Sequence, residues 1–423
     1  MTEDEYRRRL SVHVGNVIVI VIVVVVLTEY KLYIDRSVRQ PSRMIVIIRC
    51  AMVMIVSLTL GGCMALNAQK TSPNEHRPSI TERPFGTTRR GEPVTEFTLS
   101  NPGGISTSIL TWGGIIRILV VKDRAGNPAD LVLGFDSLES YEARHPYFGT
   151  ITGRFANRIA HGRFTLDGET YTLATNNGPN HLHGGVDGFD RKVWNATSSS
   201  TSDAVHLKLS YVSPDGEEGY PGELSTTVTY TLTSRDELVI EYEATTTKST
   251  PINLTNHAYF NLAGHNSGDI LKHELMIDAE RMVPVDDTSI PLGPLAEVAG
   301  TAFDFRTPHP IGERISQVGI GFDHNYVLTD APRELHLAAR SMDPKSGRYL
   351  EVLTTEPGVQ LYTGNYLDGT LTGKGGATYG KHAGFCLETQ HFPDSVNQPT
   401  YPSTILRPGE TFRSTTVMRF GAR

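Results

Sequence analysis

The chain has 423 residues, a formal net charge of −7 at pH 7 and a sequence pI near 6.1. That length suffices for one large core or two ordinary ones, and the acidic balance, with no basic run beyond the N-terminus, argues against a nucleic-acid partner. Forty glycines and 24 prolines among many short Thr/Val/Tyr-rich segments favour β-structure with frequent turns.

The first 63 residues stand apart. Arg7, Arg8 and Arg9 precede an apolar run, Val12–Leu27, and a second apolar run follows from Met44. The second run closes on Leu60-Gly61-Gly62-Cys63. A small-residue pair ahead of a cysteine resembles the bacterial lipoprotein signal, in which that cysteine is lipidated after cleavage. A basic flank, an apolar stretch and small residues at its end describe a processed signal segment rather than a stable span. The expectation is that 1–63 is a hydrophobic signal segment, that Cys63 is lipidated, and that the protein works outside the cytoplasm, touching the membrane only through this segment. The alternatives are a plain membrane anchor, or a start codon placed too early on a cytoplasmic protein. Val12–Leu27 reads as a second anchor or as an artefact of the start. Residues 64–84 are polar, Pro-bearing and unpatterned, which reads as a tether. Cys50 and Cys63 lie ahead of the tether, so residues 85–423 keep only Cys386, and cysteine pairing says nothing about compartment.

From Phe85 onward the dominant period is two. Residues 205–212, 225–233 and 237–246 alternate or run β-branched, each bounded by turn signals such as Pro214-Asp215-Gly216 and Tyr220-Pro221-Gly222. Residues 164–173 read as a hairpin around Asp167-Gly168. Strands at this spacing, with no sustained 3.6 period between them, predict one large all-β domain, a sandwich or barrel.

Several stretches could carry chemistry. In 152–164, Asn157 and Arg158 follow a Gly-containing bend, and an Arg fork suits sugar hydroxyls or carboxylates as well as an ordinary surface ion pair. In 176–185, His181 and His183 stand two apart, which on a strand puts both rings on one face. Such a pair can chelate zinc but needs a third ligand, and no metal-spaced cluster stands nearby. The following glycine pair instead suggests close backbone approach, with the ring at the mouth of a cavity. In 252–264, His257 sits among apolar and aromatic residues, flanked by Asn253, Asn256 and Asn261, and could equally be a satisfied core histidine. Asp323 and His324 precede an apolar strand. Residues 369–376 are no phosphate loop, because neither the glycine spacing nor the residue after Lys374 fits. Finally, Glu388 lies between an apolar run and a His/Asp/Asn/Pro segment, as a strand would that ends in an acid facing a cavity, or in a solvated one.

The combination is more specific than its members. Asn157-Arg158-Ile159, Asn180 to Gly185, Glu218 to Gly222, Asn256 to Leu262, Gly300 to Arg306, Phe322 to Asn325 and Leu387 to Asp394 stand in an order that resembles the aldose 1-epimerases (galactose mutarotases). The resemblance spans about residues 85–421 and departs in the N-terminal extension and at Ala302, where a proline is usual. It implies a large antiparallel β-sandwich of the galactose-mutarotase type and cofactor-free, metal-free interconversion of the α and β anomers of free aldohexoses such as galactose and glucose.

Ring opening of a cyclic hemiacetal needs a base at the C1 hydroxyl and an acid at the ring oxygen. By this resemblance Glu388 is the base and His257 the acid, while Asn157, Arg158, His183, Asp323 and Gln360 hold hydroxyls. A glycoside hydrolase would instead pair Glu388 with Asp323, leaving His257 without a role. A non-catalytic sugar-binding sandwich would need stacking aromatics, for which Trp112 and Trp194 are the tryptophans available.

Overall fold

The computed structural model describes residues 77–143, 145–328 and 334–423. The two apolar runs and Cys63 lie outside the described residues. The period-two segments form strands where expected: Ala204–Ser213, Leu224–Thr233 and Glu237–Thr246 pair antiparallel in sequence. The predicted hairpin pairs Arg163–Leu166 with Glu169–Thr172. Its two turn residues, Asp167 and Gly168, have φ of 52° and 88°, the mirror-image turn that matches strand twist.

Three sheets make the sandwich. The largest has nine strands, running from Asn195–Ser200 through the three strands above to Phe412–Ala422, Arg348–Thr354, His336–Met342, Glu274–Ile277 and His309–Pro310. A five-stranded meander, Ser79–Thr87 to Pro128–Asp130, forms a second. The third orders Ala296–Glu297, Arg281–Met282, Asp323–Val327, Gly358–Tyr362 and Cys386–Gln390. A five-residue helix, Leu138–Glu142, capped by Ser137, is the one α-helix among the described residues.

The first strand corrects a boundary. Ser79–Pro84, assigned above to the tether, is part of Ser79–Thr87 and pairs with Pro93–Ser100. The segment is mostly exposed, so it shows no apolar period. What holds it is an edge position in the sheet and an ion pair from Arg83 to the buried Glu96, which Arg117 also contacts.

The third sheet positions the site, through strand alternation. Tyr326, Val359, Leu361 and Leu387 belong to the main core, and Thr389 meets Thr416 of the large sheet at 2.6 Å. The opposite face carries three cross-strand rows, Asp323–Tyr362–Cys386, Asn325–Gln360–Glu388 and Val327–Gly358–Gln390. One face is spent on the core and the other is free for chemistry.

Gly184 shows how closely the backbone is packed around this face. At φ +88° it lies against Gly153, and a Cβ there would fall on the Gly153 carbonyl. Gly184→Ala should therefore cost about 2 kcal/mol or more of unfolding free energy in a denaturant titration, because both the conformation and the space are glycine's.

Candidate active site

Four segments converge on one small cavity of about 130 Å³. From the third sheet come Glu388, Asp323 and Tyr362; from the Arg158–Ile159 and His181–Leu182 pairing come Asn157, Arg158, Leu182 and His183; from 255–259 come His257 and Tyr259; and Pro146, Tyr147, Asn177 and Tyr366 complete the wall. Of the sequence-predicted residues, Asn157, Arg158, His183, His257, Asp323 and Glu388 all line it. A wider cleft of about 640 Å³ shares Tyr147, Asn177 and Leu182 with the cavity but holds neither Glu388 nor His257.

The delivery of each side chain has a local cause. The strand Thr255–Asn256 pairs with Ile151–Thr152, and His257 closes the pairing by bonding its amide to the Thr150 carbonyl. After Glu388 the chain turns at Pro393-Asp394, and this turn is tied to the opposite wall. The Asp394 amide donates to the Arg158 carbonyl, and its carboxylate accepts from the Ala160 amide at 2.9 Å. The turn thus fixes the Glu388 strand to the segment that carries Arg158. Asn157 and His183 both adopt left-handed backbone, φ 63° and 51°, just outside the two-stranded pairing. That twist takes His183 off the strand face that His181 occupies.

The two histidines therefore do not share a face, as strand spacing had suggested. His181 donates from Nδ1 to the Ala174 carbonyl at 2.7 Å and accepts from the Tyr220 hydroxyl at 2.7 Å, away from the cavity. The third metal-type ligand that the sequence lacked is supplied by folding, since His183, His257 and Glu388 bring ligand atoms within 4.8 Å of one another. The His183 Nδ1, however, accepts the Asn157 amide at 3.1 Å. Its proton then sits on Nε2, which makes that nitrogen a donor to a hydroxyl rather than a lone pair for a metal.

Gln360 departs from its expected place. Its side chain is buried behind the cavity wall, where Nε2 donates to Asp323 Oδ1 at 2.7 Å. Asp323 also lies 3.7 Å from the Arg158 guanidinium, whose Nε donates to Asn177. Tyr147, Tyr259, Tyr362 and Tyr366 were missed. Tyr259 stood inside a quoted motif and Tyr362 two residues past Gln360, but a tyrosine two residues along a strand from a polar candidate is an ordinary core residue until the fold shows which face is empty. Trp112 and Trp194 are both buried in the core. The motifs at 218–222 and 300–306 lie outside this cavity: Glu218 accepts from the Val186 and Asp187 amides, Arg154 donates to the Pro221 and Gly222 carbonyls, and Asp304 pairs with Arg306.

The electrostatics centre on Glu388 and His257. His257 Nε2 lies 3.6 Å from Glu388 Oε1, and its Nδ1 lies 3.5 Å from Cys386 Sγ. The imidazole stacks between Tyr147 and Tyr259, with ring centroids at 5.9 and 5.1 Å. Burial among these rings disfavours the charged form and pulls His257 down to about 4, against the weaker upward effect of Asp323. The same burial pushes Glu388 well above the usual carboxylate range, Asp323 adds to that, and Arg158 opposes it. His183 is driven well below its ordinary value by burial, with smaller downward effects from His257, Arg158 and His181. In the sugar-free protein burial thus favours the neutral form of both groups, with the pair's proton on the carboxyl. An NMR titration of the histidine rings should show His257 with a midpoint near pH 4, and none for this ring near 6.5.

Comparison with known proteins agrees with this geometry. Residues 95–419 match the family model of the aldose 1-epimerases. The chain is 51% identical to galactose mutarotase of Bos taurus over 343 residues, covering 81% of this chain and 98% of that one, and 50% identical to the Homo sapiens protein over the same span. It is 37% identical to aldose 1-epimerase of Escherichia coli K12 over 337 residues, 78% of this chain and 96% of that one. Among solved structures, an aldose epimerase homologue from C. elegans superposes with a TM-score of 0.70 at 30% identity, covering 81% of this chain and 99% of that one. Galactose 1-epimerase of Lactobacillus acidophilus gives 0.71 at 29% identity, with the same shares covered. With the all-β sandwich, the ordered motifs and these matches in agreement, the chain belongs to the aldose 1-epimerase family.

Proposed function

We propose that this protein is an aldose 1-epimerase, an isomerase that interconverts the α and β anomers of free aldohexoses of the galactose and glucose type. The observation that carries the reading is a buried carboxyl and a buried imidazole 3.6 Å apart in a cavity of pyranose size, walled by hydrogen-bonding side chains. Glu388 takes the proton from the C1 hydroxyl, and His257 gives one to the ring oxygen. The hemiacetal C1–O5 bond opens to the free aldehyde, the C1–C2 bond rotates, and the ring closes on the other face with the transfers reversed. Arg158, Asn157, His183 and Asp323 hold hydroxyls, and Gln360 orients Asp323. No cofactor enters these steps, because the proton transfers balance within the pair.

The working state needs Glu388 ionised and His257 protonated, which is the tautomer that burial disfavours. It carries the same total charge as the resting state, so moving the proton between the two groups needs no exchange with solvent. Hydroxyls of a bound sugar and the Arg158 guanidinium then stabilise the carboxylate that bulk solvent does not reach. Activity is retained while the pair keeps one proton. It falls on the acid side as His257 gains a second, near pH 4, and on the alkaline side as the carboxyl loses the last. A glycoside hydrolase reading leaves His257 idle, although its Nε2 lies 3.6 Å from Glu388 Oε1.

Glu388→Gln keeps shape but removes the base, and turnover should fall on the order of 10³-fold with sugar binding retained. His257→Asn should do the same, and the double variant should be little worse than either single one, since neither group opens the ring efficiently alone. Polarimetry of fresh α-galactose decides it: mutarotation surviving Glu388→Gln within about tenfold of wild type refutes the role.

We further infer that Cys63 is lipidated and anchors the enzyme outside the cytoplasm, supported by Leu60-Gly61-Gly62-Cys63 at the end of an apolar run and ahead of a polar stretch. Cys63→Ala expressed in the native host should leave the membrane fraction or stay unprocessed. Soluble protein for both forms would sink the idea.

A further inference from the structure

Behind Glu388, away from the cavity, the third sheet carries a set of polar atoms that nothing in the protein satisfies. Asn325, Gln360 and Glu388 stand directly opposite one another on adjacent strands, and the next row along is Val327, Gly358 and Gln390. All point to the same face. Glu388 Oε2, Gln360 Oε1, both amide atoms of Asn325 and both of Gln390 are buried without a hydrogen-bond partner. Among the described residues, Asn325 and Gln390 are the two buried amide side chains with neither polar atom partnered. Buried Asn253, Asn256 and Asn261 are all bonded to backbone on both sides of the amide.

Two wholly unpartnered amides flanking the same carboxylate are not accounted for by packing, since buried polar groups are hydrogen-bonded as a rule. Gly358, opposite Gln390, is what lets the Asn325 amide lean over this strand. A Cβ at this position would lie 2.5 Å from Asn325 Oδ1 and 3.1 Å from the Phe392 ring, so only glycine seats the amide and the ring there. Whatever answers the unpartnered atoms must offer both donors and acceptors. A cation would suit the carbonyl oxygens and leave the two amide N–H₂ groups unpaired, whereas water answers to both.

We propose that Asn325 and Gln390 are positioning residues for Glu388, acting through water bound among these unpartnered atoms. The inference rests on the reading of Glu388 as the base. The amides donate to the water, the water donates to Glu388 Oε2, and Oε1 is left to the substrate. The arrangement selectively stabilises the ionised carboxylate, and so the working tautomer of the pair. The other charged or titratable groups facing Glu388 are His257, His183, Asp323, Arg158, Tyr259 and its strand neighbour Cys386. Of these, Arg158 opposes the upward push on the carboxyl, and the bridged amides add to that support.

The test compares full-length wild type, Asn325→Leu and Gln390→Met, which approximate each side chain's size without its amide, by galactose mutarotation across the pH range. Each variant should lose on the order of tenfold in plateau turnover with KM nearly unchanged, because a hydrogen bond to a charged group has been removed from the working state only. Its alkaline limb should move up by about one pH unit, since the carboxyl now holds its proton harder. The double variant should be little worse than the poorer single one, because both amides act through shared water. Folded variants with unchanged turnover, or with reduced turnover but a fixed alkaline limb, overturn the proposal. A wild type without mutarotation overturns the functional reading instead. In that case, or if the variants do not fold, a crystal structure of the wild type decides whether the water is there. Ordered water bonded to Glu388 Oε2 and to either amide supports the proposal; no ordered water at these atoms, or amides bonded directly to protein, defeats it.

Discussion

Burial of one carboxyl and one imidazole away from bulk solvent is the constraint on which this site depends. In water, Glu388 would be ionised and His257 mostly neutral at pH 7, two independent groups with independent titrations. Buried beside each other they become a pair with one proton between them, and the same desolvation that moves each pKa makes the proton's position depend on what occupies the cavity. A sugar that brings hydroxyls to the carboxylate changes which tautomer is favoured. The machinery of general acid–base chemistry is thus set by environment and not by residue type alone.

Keeping such a pair out of bulk solvent requires a rigid frame, and much of this frame is polar. Asn253 clamps Ala156 and His391, Asn256 holds Gly149 and Ala258, and Asn261 holds Gly268, Ala263 and Ala383. Asp394 ties the end of the Glu388 strand to the segment of Arg158 and Ala160. Each buried amide or carboxylate answers backbone groups of irregular segments that no sheet ladder could satisfy, which is what irregular chain at the edge of a core demands. The motifs around the cavity are therefore as much about holding loops as about touching sugar. The left-handed backbone of Asn157 and His183 belongs to the same logic, since strained conformations persist where the surroundings over-determine them.

The all-β class, the strands at 204–246, the hairpin at Asp167-Gly168 and the close approach after His183 were all legible in the sequence, because each is written in a local signal: a period of two, a turn pair, a glycine where no Cβ fits. Six cavity residues were legible too, but only from the order of motifs taken together; singly, Glu388 was a strand end and His257 a core histidine. What tertiary structure alone decided was direction. Whether His181 and His183 share a face turned on one positive φ at His183. Gln360 turned out to orient Asp323 from behind the wall because three strands stack it opposite Asn325 and Glu388. Ser79–Pro84 became an edge strand through pairing and through Arg83 reaching Glu96, neither of which leaves an apolar period in the sequence. The order of the two catalytic pKa values was likewise invisible, since it is fixed by the rings of Tyr147 and Tyr259 and by Asp323, which reach the pair from three separate segments of the chain. Sequence determines which residues can alternate, turn and bond locally; burial and long-range charge exist only once distant segments meet.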